Sequence, residues 1–256
     1  MNKALKIAPP IICLLLFWAA LAAFLGPNLL PGPAAVGVQL VHSLQDRAFL
    51  TDFWASFVRA ASGLGLAFII PFPFGLLLGA CRRLDAFVAP ILYLTYPIPK
   101  ILMLPVLLVL LGLGEAPKIL IVAVTAGYQV LVVTRDNVMN LDRRHLDSFN
   151  SLWPRNRSAG GRIKRRLLLV RHVLAPSALP AAATAFRLSS GTAVAVLFMA
   201  ESFATRQGLG QAIMDAWGLL DLPRMFVGII GLGLLGAFFY FLSNWAEKRV
   251  CRWKDL

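Results

Sequence analysis

Six apolar runs constrain this chain more than anything else in it. They lie at about residues 7–26, 54–80, 86–111, 118–134, 174–204 and 224–246. A helix that crosses a bilayer needs roughly 20 mostly apolar residues. The sequence therefore predicts an all-α, polytopic membrane protein with about six transmembrane helices. Composition agrees, with 59% hydrophobic and only 14% charged residues among 256 and a mean hydropathy of +0.74. Soluble domains do not reach such values. The first run, Ile7 to Leu25, has no small-x-small cleavage pattern before Pro27, Pro31 and Pro33, so it reads as a retained span.

The formal charge of +13 raises the question of a nucleic-acid partner. Its distribution answers it. Of the 25 Lys and Arg residues, 18 fall in the N-terminus, the turn at Arg82 and Arg83, the 135–172 segment and the tail after residue 246. A six-span topology places all four on one face, which is the positive-inside pattern of a cytoplasmic face. Both termini are then cytoplasmic, and no nucleic acid is implied. Cys13, Cys81 and Cys251 lie far apart and fit neither a disulfide framework nor a metal site. His42, His145 and His172 are equally scattered. No phosphate-binding loop of the Gly-x-x-x-x-Gly-Lys type occurs, and no acid, base and nucleophile cluster together. The expected protein is not an enzyme and holds no cofactor or metal.

Two runs are interrupted. Pro71 and Pro73 sit beside Gly63, Gly65, Gly75 and Gly79, and read equally as packing kinks or as a wet break. Pro97, Pro99 and Lys100 break the third run more severely. Freed backbone groups and a mid-span cation must face protein or a water-filled path, so these residues are candidate path-lining groups. Arg187 and Glu201 are further intramembrane charges. They stand 14 residues apart in one expected helix, about 21 Å of rise, so each needs another partner.

Residues 135–173 form the one long polar segment between runs. Leu146, Phe149, Leu152 and Trp153 recur at helical spacing after Asp142, a residue type that caps helices. Pro154 stops that helix, Ser158 to Gly161 read as a turn, and a basic helix follows with Ile163, Leu167 and Val170 on one face. Such an elbow suits a groove in a partner protein or the anionic surface of the lipid bilayer.

The chain resembles the permease subunits of ABC importers, in the branch that serves nitrate, sulfonates, taurine and related small anions. The likeness covers about residues 54–254. It is carried by the proline-broken stretch 74–119 (with Pro97, Pro99, Lys100, Pro105, Gly112, Gly114 and Lys118), by VLAPSALPAAATAFRLSSGTAVAV at 173–196, by MAESFATRQGLGQAI at 199–213, and by the basic tail. The resemblance implies a domain over 54–256, preceded by a membrane helix and outer loop over 1–53. It implies a cytoplasmic coupling loop at about 135–173, between the fourth and fifth spans, carrying Asp147, Phe149, Trp153, Gly160, Gly161, Pro176 and Pro180. Pro97, Pro99, Lys100, Arg187 and Glu201 would line the translocation path. The implied partners are an ABC ATP-binding subunit that uses the ATP, a periplasmic or extracellular solute-binding protein, and a second copy or homologous permease. The implied place is a bacterial cytoplasmic (inner) membrane. The loop departs from the family's Glu-Ala-Ala pattern. Asp147, Ser148 and Phe149 stand in its place, Trp153 stands where a glycine belongs, and about ten extra residues precede Pro176. The same branch also resembles importers of vitamin precursors and neutral solutes. The alternative from another class is a stand-alone secondary transporter or channel, which predicts more intramembrane acids and repeated halves; neither is visible.

Overall fold

A computed structural model describes residues 3–152, 159–203, 205–251 and 253. All six apolar runs are helical. Among the described residues, four helical stretches are long and apolar enough to cross a membrane: Arg47–Ala80, Glu115–Met139, Lys164–Ser202 and Leu222–Val250. The third run is a bent pair, Arg82–Thr95 and Lys100–Leu111, meeting at 95°. The first is a shorter apolar helix, Pro9–Leu25, within α1 (Lys3–Leu25). The protein is a polytopic, all-helical membrane protein.

Packing divides the chain into two units, and every border between them falls inside a helix. One unit comprises Met1–Val58 and Phe198–Leu234. It holds α1, then α2 (Pro33–Ser43), then the start of α3 (Arg47–Ile69). Proline at the first position of α2 suits a site whose N–H would be unpaired anyway. Helix α3 begins at Arg47 rather than near residue 54, because Asp46 caps it: the Ala48 N–H donates to Asp46 Oδ1 at 2.9 Å. Trp18 of α1 donates to the Pro31 carbonyl at 3.1 Å and stacks on Phe226.

The other unit comprises Arg59–Leu197 and Leu235–Leu256. Helix α4 (Pro71–Ala80) continues the line of α3 past a break at Ile70. It packs along α7 (Glu115–Met139). Small residues make that approach possible. A methyl group on Gly75 would stand 2.8 Å from the Leu131 carbonyl oxygen, and one on Gly79 would stand 2.6 Å from Val138 Cβ. Gly63 is similarly closed by Val122, whereas Gly65 faces open space. Helix α5 (Arg82–Thr95) ends before Pro97 and Pro99, which cannot donate backbone hydrogen bonds. A 3-10 turn at Lys100–Met103 then leads into α6 (Leu104–Leu111).

After α7 come α8 (Arg143–Leu152) and α9 (Ala159–Leu169). A π turn, Val170–Leu174, joins α9 to α10 (Ala175–Ser202) without interruption. The Ala175 N–H reaches back five residues to the Val170 carbonyl. The wide turn sits just before Pro176, which has no N–H to give. Helix α11 (Leu209–Gly218) and α12 (Leu222–Val250) complete the chain. Ala159, Gly160 and Gly161 lie in the first turn of α9, not in a loop as the sequence suggests. The first turn of a helix lacks some intrahelical bonds in any case, so glycine there is tolerated. Likewise Arg135, read as part of the loop, belongs to α7.

Candidate functional site

The segment between α7 and α10 is tied down at its base. Asp142 caps α8, its Oδ1 accepting from the Arg144 N–H at 2.9 Å. Leu146 is half-buried and packs, with Leu141, Leu169, Val170 and Val173, on a cluster of Leu76, Val138, Leu174 and Ala178. Phe149 is half-buried, while Asp147 and Ser148 are exposed. Leu146 is therefore an anchor within the chain rather than a contact for a partner's groove, and Asp147 and Ser148 on the outward side are polar. The reason is the α4–α7 pair, which offers apolar surface that the sequence alone does not reveal. Trp153, the end of the expected stripe, lies outside the described residues. Beside α8, His145, Ser148, His172, Pro176, Pro180 and Trp253 are among the residues lining an open cavity of about 430 Å³.

At the broken third run, Lys100 serves as a cap. Its Nζ donates to the carbonyls of Thr95, Tyr96 and Ile98, at the break where the helix stops. The ammonium also sits 4.2 Å from the centre of the Tyr128 ring, a favourable cation–π distance. No carboxylate is among these partners. Pro97 and Pro99 are exposed beside it.

Arg187 and Glu201 do find separate partners. Arg187 Nη1 donates to Asn244 Oδ1 at 2.8 Å and to Glu247 Oε2 at 3.0 Å. Glu247 is 8% exposed. Sequence reasoning missed it because the sixth span was expected to end one residue earlier. Glu201 is fully buried. Ser56 Oγ donates to it at 2.8 Å, and the Gly210 N–H donates to Oε2 at 2.9 Å. The Leu209 N–H donates to Ser56 Oγ at 2.8 Å, and the Gly208 N–H to Asp52 Oδ1 at 2.8 Å.

These bonds explain the Gly-Leu-Gly turn. Gly208 has φ +132°, which side chains disfavour. Gly210 needs no such freedom but has no room, since a Cβ would stand 2.6 Å from Glu201 Cβ.

Two further charged groups escaped the sequence. Arg135 forms a buried ion pair with Asp85, donating through Nε and, at 2.9 Å, through Nη2; Tyr93 adds a hydroxyl at 3.3 Å. Arg59 and Lys118 share Glu115. Their partners stand 50 and 56 residues away for Asp85–Arg135 and Arg59–Glu115. Neither separation leaves a periodic trace in sequence.

Helices broken at prolines, ion pairs inside the spans, and a polar elbow continuous with a spanning helix mark a multi-pass membrane protein. The profile of the family described as binding-protein-dependent transport system inner membrane component matches residues 164–252. Those residues carry the family's profile, and the curated relatives that match most of this chain are ABC transporter permeases. A probable ABC transporter permease protein of Brucella abortus (strain 2308) is 29% identical over 93% of this chain and 91% of its own length. The putative aliphatic sulfonates transport permease protein of Bacillus subtilis (strain 168) is 24% identical over 89% of this chain and 79% of its own. A solved structure of the MetNI methionine ABC transporter, in an inward facing conformation, shares the fold. Its TM-score is 0.63 at 20% identity, over 79% of this chain and 96% of that one. The chain is no ATPase and carries no cofactor; in this family ATP is used by a separate subunit.

Proposed function

We propose that this importer permease passes a small anionic solute, of nitrate, sulfonate or taurine type, by alternating access. Two copies, or one copy and a homologous permease, flank the path. An ABC ATP-binding subunit grips residues 135–173 on the cytoplasmic face, where both termini lie. A solute-binding protein delivers solute from the other side. Residues 54–256 form the working domain, and residues 1–53 add a membrane helix and an outer loop.

One observation carries the coupling. Lys164–Ser202 is a continuous apolar-to-basic helix of 39 residues, about 58 Å long at 1.5 Å per residue. A force applied at α9 is transmitted along one rod into the membrane. The anchored α8 presents Asp147 and Ser148 outward, which favours a polar groove in the partner. Solute preference rests on less: the sulfonate relative, and Lys100 as a cation whose partners are all neutral. Arg187 contributes little, because Glu247 balances it.

The test uses the permease reconstituted with its ATP-binding and solute-binding partners. Deleting residues 154–161 is expected to abolish both uptake and solute-stimulated ATP hydrolysis while the complex still assembles in the membrane. Undiminished uptake and stimulation would show that the elbow is not the lever.

A further inference from the structure

The open cavity of about 430 Å³ beside α8 receives an imidazole from each of two elements. His145 comes from α8, with Ser148 one turn further along the same side. His172 comes from the π turn, with Pro176 one turn on and Ser177 beside it. Packing holds the two elements together. Leu146, next to His145, shares an apolar cluster with Val170 and Val173, which stand within two residues of His172. The His172 Nδ1 lies 3.1 Å from the Leu168 carbonyl oxygen. A carbonyl can only accept, so Nδ1 carries the ring proton and Nε2 keeps a lone pair. Metal-binding histidines are held in this way, one nitrogen donating to a carbonyl while the other ligates. The His145 ring has no hydrogen bond or ion pair among the described residues, so its lone pair is also available. The hydroxyls fit the same purpose. Ser148 Oγ donates to the Arg144 carbonyl at 2.8 Å, and Ser177 Oγ to the Leu174 carbonyl at 2.9 Å. With those protons engaged, each hydroxyl offers lone pairs, which suit water held on a cation. No lysine or arginine is among the lining residues, and the neighbouring Arg144 turns to Asp142.

We propose that His145 and His172 together bind a divalent transition-metal ion, and that the bound ion acts as a brake on coupling. Imidazole suits nickel, copper and zinc, whereas magnesium and calcium want oxygen ligands. Among the described residues no third histidine, cysteine or acid joins the pair, so water fills the remaining positions on the ion. There is ample room for it: a water molecule takes roughly 30 Å³. Binding draws the two rings together across the cavity. Helix α8 is then stapled to the head of α10 by two coordinate bonds, where Leu146 otherwise holds it by apolar contact alone. An elbow fixed in this way cannot shift against the long helix when ATP is bound and released. The brake rests on the reading of residues 135–173 as the coupling segment; the site itself does not.

The experiment dialyses the transporter complex, purified through a tag without histidine, against nickel chloride and counts the nickel bound. The native complex should hold one more nickel per permease than His145→Gln or His172→Gln. Each substitution should weaken that nickel by at least about tenfold, since losing even a supporting hydrogen bond costs a metal site that much. Solute-stimulated ATP hydrolysis, with magnesium in excess, should slow in the native complex as the site fills and recover with EDTA. Each variant, compared with its own nickel-free rate, should need about tenfold more nickel to slow. The thermal midpoint of the native complex, a readout that needs no variant, should rise and saturate over the same nickel range. Equal nickel counts in the native and both variant complexes, or no saturable rise in the native midpoint, would overturn the site. So would a loss in one variant alone, which marks an adventitious ion on a single histidine. Two-histidine binding without slowing would overturn the brake. Uptake that survives deletion of 154–161 would defeat the coupling reading and leave the nickel count as it is.

Discussion

Replacing Gly75 by alanine should damage the permease, and replacing Gly65 should not. The two glycines occupy neighbouring stretches of the same broken span, so alanine improves helix propensity by up to ~1 kcal/mol at either position. That gain cancels when the two variants are compared. What remains is space. A Cβ at Gly75 would meet the Leu131 carbonyl oxygen and Thr134 Cβ, both at 2.8 Å; at Gly65 nothing lies within 4 Å. A backbone carbonyl on an adjacent helix cannot rotate away, so α4 and α7 must separate. Overpacking of this kind costs about 1–3 kcal/mol. For a chain of this size, ~1 kcal/mol moves the melting midpoint by roughly 2–4 °C. Gly75→Ala should therefore melt roughly 2–12 °C below Gly65→Ala in parallel thermal scans of purified protein in mild detergent. Gly79→Ala should follow Gly75, since its Cβ would meet Val138 Cβ at 2.6 Å. If Gly75→Ala melts at or above Gly65→Ala, the close approach of α4 to α7 is not what those glycines are for.

Two charge tests complement the deletion of 154–161 and the nickel measurements. Arg187→Ala removes the ion-pair partner of a carboxylate that is 8% exposed and should cost about 3–5 kcal/mol. Adding Glu247→Leu should recover most of that loss, and a double-mutant cycle on melting midpoints measures it; strict additivity would deny the pair. Glu201→Ala removes the acceptor for Ser56 Oγ and the Gly210 N–H and should cost about 1–3 kcal/mol, with Glu201→Gln losing less. If both variants keep native stability but lose uptake, Glu201 acts on solute rather than on the turn.

What could be read from the sequence was local in origin. Hydropathy over 20 residues locates each spanning segment, prolines mark the breaks at Ile70 and after Thr95, and Asp142 announces α8. Asp46 was equally readable as a cap, yet the apolar run that follows it starts late and concealed the true beginning of α3. The charged pairs could not be read. Asp85–Arg135, Arg59–Glu115 and Arg187–Glu247 join residues 50, 56 and 60 apart. Asp85, Glu115, Arg135 and Glu247 sat at the rims of expected spans or in the loop, Arg59 lay inside the second run without being singled out, and Arg187 read as an intramembrane charge with no partner in view. The orientation of α8 was hidden for a related reason. An amphipathic pattern shows that Leu146 seeks apolar company, but not whether a partner or the chain's own α4–α7 pair supplies it.

The π turn at Val170–Leu174 sets a phase as well as a shape. Successive residues of an α-helix are about 100° apart, and a π turn holds one residue more than the helix around it would. Everything N-terminal to it is thus rotated by about 100° relative to a straight continuation of α10. The basic face of α9 points where it does because of that single surplus residue. Insertions and deletions on the two sides of residues 170–174 are therefore unequal in effect. A one-residue deletion within the turn would leave a smoother helix and a membrane segment of unchanged composition, yet it would swing Lys164, Arg165 and Arg166 to a different compass bearing. In a lineage of such permeases, the presence of this turn would decide which side of α9 faces its partner.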